Sequence, residues 1–174
     1  MTTGGEGGMI TCNDESFGTN WCLTEMQSAI SRIQLGRMHE YFKLRGKYAD
    51  TIASTCSESQ CIRVSTVPVC IEHANYKYYV FERPESLADG WARDLIVAEI
   101  NALGVPCMQG SCSEVYLEKA FDGTDFKPSS SLAVACELGE TSLMFLVHPT
   151  VTLNEIKQPI IVITTVFENA QTIN

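Results

Sequence analysis

The chain has 174 residues, 45% hydrophobic and 19% charged, which is enough for one domain with a real core and excludes a wholly disordered chain. Twelve Lys and Arg against 21 Asp and Glu leave a formal charge of −9. That balance argues against a nucleic-acid partner, because neutralising phosphates takes concentrated cations. No apolar run approaches the roughly 20 residues of a membrane span, and no charged-then-apolar leader opens the sequence.

The first eight residues, MTTGGEGG, place four glycines around Glu6, a backbone free to take positive φ and to approach another group closely. The Walker pattern and the Gly-x-Gly-x-x-Gly pattern of phosphate loops are both missing, so a turn beside a site and a plain surface turn stay open. Thr24 and Gln27 have the form of a capping box. Behind them Met26, Ala29, Ile30, Ile33, Met38, Tyr41, Tyr48 and Ile52 approximate one helical stripe, predicting a long amphipathic helix to about Ser54. Arg37, His39, Lys43, Arg45 and Lys47 gather in its second half and read first as a solvated face, with an anion contact as the sharper alternative.

β-Branched and aromatic residues predict strands over 62–71 and 76–81, the first demoted by Pro68 to an edge or broken strand. Ile96, Ile100 and Leu103 return to helical spacing, and Gly104 with Pro106 supplies a stop. A short strand or loop through Cys107, a helical turn over 114–121 and a polar loop over 123–131 follow. The pattern then predicts a helix over 132–138 and a strand over 142–147. Residues 153–170 suit helix or strand; position and length favour a closing helix. Short links between alternating strands and helices indicate an α/β or α+β domain.

Eight cysteines without a secretory leader point to reduced thiols in the cytoplasm. Cys56 and Cys61, and Cys107 and Cys112, are each separated by four residues, no CxxC occurs, and His39, His73 and His148 stand far from either pair. No metal site is expected; most of these thiols read as small core residues.

The glycine loop, the segment Gly18-Thr19-Asn20-Trp21-Cys22-Leu23-Thr24-Glu25-Met26-Gln27 and the stretch from His73 to Val80 resemble the pyridoxal-phosphate-dependent sugar aminotransferases of the DegT/DnrJ/StrS type. Gly110-Ser111-Cys112-Ser113-Glu114-Val115-Tyr116 and His148-Pro149-Thr150 follow in matching order. The resemblance covers nearly the whole chain and corresponds to about the C-terminal half of a family member. It implies the C-terminal part of a fold-type-I transferase: a mostly antiparallel sheet with covering helices. Residues 1–23 would be a Gly-rich leader left from the large cofactor domain, 24–60 a connecting helix, and 61–174 the small C-terminal domain.

The same resemblance implies a parent activity that moves an amino group, usually from glutamate, to a keto-sugar nucleotide. It makes Asn20 a contact to the cofactor phosphate across a homodimer interface, and it sets Glu6 beside the Schiff-base lysine, where a role in orienting neighbours and a plain surface carboxylate are both open. His73, Tyr76, Lys77 and Tyr78 offer donors and a flat apolar face of the kind that holds a nucleotide or sugar; aromatic residues alternating on a strand also suit a core. Three departures stand out. The chain starts after the Schiff-base lysine, Asn13 to Phe17 replace a longer connection, and Cys22 stands where the family usually has Arg, whose bidentate contacts a thiol cannot make. The expected partners are therefore a second copy or a complementary N-terminal half, and no residue of this chain is assigned a catalytic role. A non-catalytic binding or dimerisation remnant is the alternative.

Overall fold

The computed structural model describes residues 24–110 and 112–172. They divide into two compact units, with the boundary between Leu44 and Arg45, inside a single long helix.

That helix, α1, runs Glu25–Ser57. Its start is the expected capping box: the Thr24 amide donates to Gln27 Oε1 at 3.0 Å and the Gln27 amide to Thr24 Oγ1 at 3.3 Å. In the first unit the apolar stripe does not become a buried seam. Met26 is 75% exposed, and Ile30, Ile33, Leu35 and Met38 are exposed as well. In the second unit the helix buries Arg45, Tyr48, Ala49, Ile52 and Cys56, residues three or four apart on one face. The Tyr48 hydroxyl donates to the Val151 carbonyl.

The second unit is an α/β arrangement around a four-stranded antiparallel sheet in the order β1-β2-β4-β3, from Ile62–Val64, Tyr78–Glu82, Ser142–Phe145 and Cys107–Gln109. β1 stops at Val64, well short of the expected Ile71. Its ladder with β2 ends at the Val64–Val80 pair, and β2 begins only at Tyr78, not Tyr76. β-Propensity over 65–71 is overridden because the chain there finds no neighbouring strand among the described residues, and Pro68 has no N–H to give one.

Helix α2, Arg93–Ala102, ends as the glycine predicted. The Gly104 amide donates to the Asn101 carbonyl at 2.9 Å and the Val105 amide to the Ile100 carbonyl at 3.2 Å, with Gly104 at φ +83°. This is a Schellman closure, sealed by the buried pair Ile100 and Val105. Gly104→Ala meets no atom but must hold that positive φ, so a loss of about 1–2 kcal/mol is expected by thermal unfolding. The predicted turn over 114–121 resolves into two 3-10 turns, Val115–Leu117 and Lys119–Phe121. Helix α3, Ala133–Thr141, runs through Gly139 directly into β4, which ends at Phe145 rather than Val147.

Residues Leu153–Ala170 form a helix, α4, opened by a second capping box between Thr152 and Glu155 and containing Pro159. Ile163, Val166, Phe167 and Ala170 line its buried face, and Ile96, Ile100, Val80, Leu143 and Phe145 are buried with them in the core. α2 packs on α4, β3 and β4, while α3 packs on β2. The end of α4 is tied back to the segment before α2, the Ala88 amide donating to the Ala170 carbonyl at 2.8 Å. Among the described residues no helix is long and apolar enough to cross a membrane.

Candidate functional site

Asn20 and Glu6, the residues assigned to the cofactor, lie outside the described residues. So do Cys12, Cys22 and Ser111. The residues assigned to substrate fall at the entry to β2, where the chain emerges from the long connection after β1.

There, a tight turn is closed on itself. His73 Nδ1 lies 2.8 Å from Asn75 Oδ1, the Asn75 amide donates to His73 Nδ1 at 3.1 Å, and Asn75 Nδ2 donates to the His73 carbonyl at 3.3 Å. The turn needs Asn75 at φ +45°, a conformation that Asn tolerates better than other non-glycine residues. Two cations flank the ring that follows: the Lys77 ammonium lies 5.5 Å from the Tyr76 ring centroid and the Arg45 guanidinium 5.9 Å. Tyr76 remains 55% exposed and His73 is exposed, so the turn presents an aromatic ring and an imidazole to solvent, with the half-buried Lys77 beside them.

Tyr78 is set apart from them. In β2 successive side chains alternate, so Tyr78 shares a face with Val80 and Glu82, and Val80 is fully buried. Partial burial, with the neighbouring Cys56 thiol and Asp50, pushes the Tyr78 phenol up to about 12. The structure therefore brings together His73, Tyr76 and Lys77 and turns Tyr78 inward.

Glu82, at the end of the same face, is 7% exposed, and its Oε2 has no hydrogen-bond partner among the described residues. Loss of solvent raises its carboxyl to about 7, against the pull of Arg93 and with a smaller push from Asp94.

Of the basic residues on α1, Arg37, His39, Lys43 and Lys47 are exposed as a solvated face should be, but Arg45 is not: it is 4% exposed. Its Nη1 donates to the Tyr76 carbonyl at 3.0 Å and to that of Asn75 at 3.5 Å. Sequence reasoning grouped Arg45 with its charged neighbours. The signal that separates it is spacing, since it falls three and four residues before Tyr48 and Ala49, on the buried face.

A cavity of about 390 Å³ lies elsewhere, lined by Tyr48, Ile52, Val105, Phe145, His148 and Ile163 among others, and its lining holds no lysine or arginine. His148 Nδ1 sits 2.7 Å from Thr150 Oγ1, which holds the ring in its loop. Cys56, Cys61 and Cys107 are buried core residues as expected, while Cys70 and Cys112 are exposed. Burial pushes the Cys56 and Cys107 thiols up to about 12, so neither is an activated nucleophile. Among the described residues no group of His, Cys, Asp and Glu is arranged to hold a metal.

The sequence profile of the DegT/DnrJ/EryC1/StrS aminotransferase family matches residues 14–164. Among solved structures, an aminotransferase from Psychrobacter cryohalolentis is 46% identical with a TM-score of 0.81, over 95% of this chain and 44% of that one. DesV of S. venezuelae, solved in complex with a ketimine intermediate, is 21% identical with a TM-score of 0.74, over 88% of this chain and 39% of that one. PseC of Helicobacter pylori, an aminotransferase involved in the biosynthesis of pseudoaminic acid, is 15% identical with a TM-score of 0.73, over 94% and 42%. The last two show the fold alone. The chain spans less than half the length of each of these structures. A comparison with curated proteins gives no match.

Proposed function

The chain belongs to the DegT/DnrJ/EryC1/StrS aminotransferase family, and from that membership we propose that it is the C-terminal portion of a pyridoxal-phosphate-dependent enzyme that aminates a keto-sugar nucleotide. The amino donor in this reading is usually glutamate. The observation that carries the aminotransferase part of this reading is the 46% identity to an aminotransferase over 95% of this chain and 44% of that one.

Pyridoxal phosphate, when bound, supplies the electron sink on which transamination depends. The described residues do not by themselves fit that group. The apolar cavity has no cation to meet a phosphate, and the thiols at Cys56 and Cys107 are inert. Lys77 lies against the Tyr76 ring, at the substrate turn. In this reading the cofactor contacts come from Asn20 and Glu6, and the lysine that carries the cofactor comes from outside these 174 residues. His73, Tyr76 and Lys77 take the sugar nucleotide, with Tyr78 supporting the turn from inside. We place the protein in the cytoplasm, where its thiols stay reduced.

The exposed apolar residues of α1 favour a second element of the reading, a partner chain. A second copy or a complementary N-terminal half would cover Met26, Ile30, Ile33 and Met38; a non-catalytic remnant would use the same face for association alone.

Borohydride reduction of the chain after mixing with pyridoxal phosphate tests the assignment of the lysine. Scattered, substoichiometric label over exposed lysines is expected. One stoichiometric label on a single lysine of this chain would overturn it. A complementary N-terminal half added to the mixture takes up the label at one lysine in the split-enzyme reading and not in the remnant reading.

A further inference from the structure

We propose that Arg45 is a positioning residue for the His73–Lys77 turn: it fixes the backbone of that turn from beneath, so that Tyr76 and Lys77 meet the substrate in one arrangement. The substrate half of this inference rests on the reading under Proposed function; the hold of Arg45 on the turn does not.

Thirteen residues without regular structure connect Val64 to Tyr78. Such a connection needs anchors to keep one conformation, because each ordered residue loses about 1–2 kcal/mol of backbone entropy. Two local anchors are present, the Ile71 amide on the Pro68 carbonyl at 2.9 Å and the closed His73–Asn75 turn. Both lie within the segment, and neither attaches it to the rest of the domain. Arg45 does. Its guanidinium, carried on α1, reaches the carbonyls of Asn75 and Tyr76, and it also lies over the Tyr76 ring. Among the described residues no carboxylate pairs with Arg45, and its Nε is buried with no partner. A buried cation whose hydrogen bonds go to backbone carbonyls rather than to an acid is committed to the chain it holds.

One nitrogen of Arg45 meets two successive carbonyls while the guanidinium carbon lies 5.9 Å from the Tyr76 ring centroid, so a single side chain holds both the backbone of the turn and its ring. The strained Asn75 is held in its positive φ between the His73 links on one side and the Arg45 contact on the other.

The test uses the 174-residue chain with Arg45→Lys and Arg45→Met, and Ala49→Gly as a control that weakens the same buried face of α1 without touching the turn. Two quantities are read: amide hydrogen exchange at Asn75, whose amide donates to His73 Nδ1, relative to Val80, and affinity for uridine diphosphate by titration calorimetry. Arg45→Met is expected to speed exchange in the turn about tenfold, the factor for one lost hydrogen bond to a charged group, and to weaken nucleotide binding by a similar factor, with a smaller effect of Arg45→Lys, which keeps a charged donor. Ala49→Gly should lower the melting temperature yet leave exchange in the turn, relative to Val80, and affinity unchanged. Unchanged exchange in Arg45→Met, or an equal effect of Ala49→Gly, would overturn the hold. A loosened turn with unaltered affinity would overturn the positioning role. If the parent chain binds no uridine diphosphate, the substrate reading of the turn falls, while the exchange comparison still decides what Arg45 holds.

Discussion

Phe145→Ala is expected to cost about 3–5 kcal/mol of stability, measured by urea denaturation of the chain against the variant. Phe145 is 2% exposed and stands in β4 at the crossing of two ladders, opposite Tyr78 of β2 and Cys107 of β3. Removing the ring forfeits its transfer from water and leaves a void. That void would join the existing cavity of about 390 Å³, whose wall Phe145 already forms. The surroundings cannot collapse inward to fill it, because Leu143, Ile163 and Val147 are already fully or almost fully buried and held by their own elements. A loss below about 1 kcal/mol would show that the helices close over the gap, contrary to this packing.

Glu82 gives the second large effect, and its sign is the reverse of the usual carboxylate. Most carboxylates in folded proteins lie at or below their ordinary value; burial lifts this one from 4.5 to about 7. Between those values the unfolded chain has released a proton that the folded chain still holds, so stability falls as pH rises through that window and levels off above it. The whole effect is at most about 3–4 kcal/mol. Glu82→Gln keeps the shape and cannot ionise. It should therefore match the parent chain near pH 4.5 and exceed it above pH 7, read as denaturation midpoints at the two pH values. Equal midpoints of parent and variant at both would mean that Glu82 ionises freely in the fold.

The closing helix was legible because two signals agreed. Position and length favoured helix over the β-rich run Ile160-Ile161-Val162-Ile163, and α4 spans Leu153–Ala170. A third signal, Thr152 with Glu155 three residues on, was present in the sequence and would have decided it. β1 was legible only at its start, since β-branched residues report a preference and not the presence of a neighbouring strand, and the chain beyond Val64 has none among the described residues. The stripe of α1 shows the same limit. Spacing identified the helix, but only the part from Arg45 onward is buried, because burial depends on what covers a face. At the site, residue type pointed to His73, Tyr76 and Lys77, which the turn does bring together. Arg45 was hidden by its charged neighbours, and Tyr78 by its aromatic ones. The cofactor assignments at Asn20 and Glu6 fall outside the described residues.

The order of the strands sets the tempo of folding. The central ladder joins β2 to β4, with Phe81 opposite Ser142, so its partners are about 60 residues apart along the chain and the sheet is ruled by distant contacts. The β1–β2 pair on its own is a three-residue ladder bridged by a thirteen-residue excursion, too little to persist while waiting. Closure of the sheet must therefore follow, not precede, the arrival of Phe145 and the helix that runs into β4. Until then Val80 and its neighbours lack their cover, and the half-made domain is at its most adhesive.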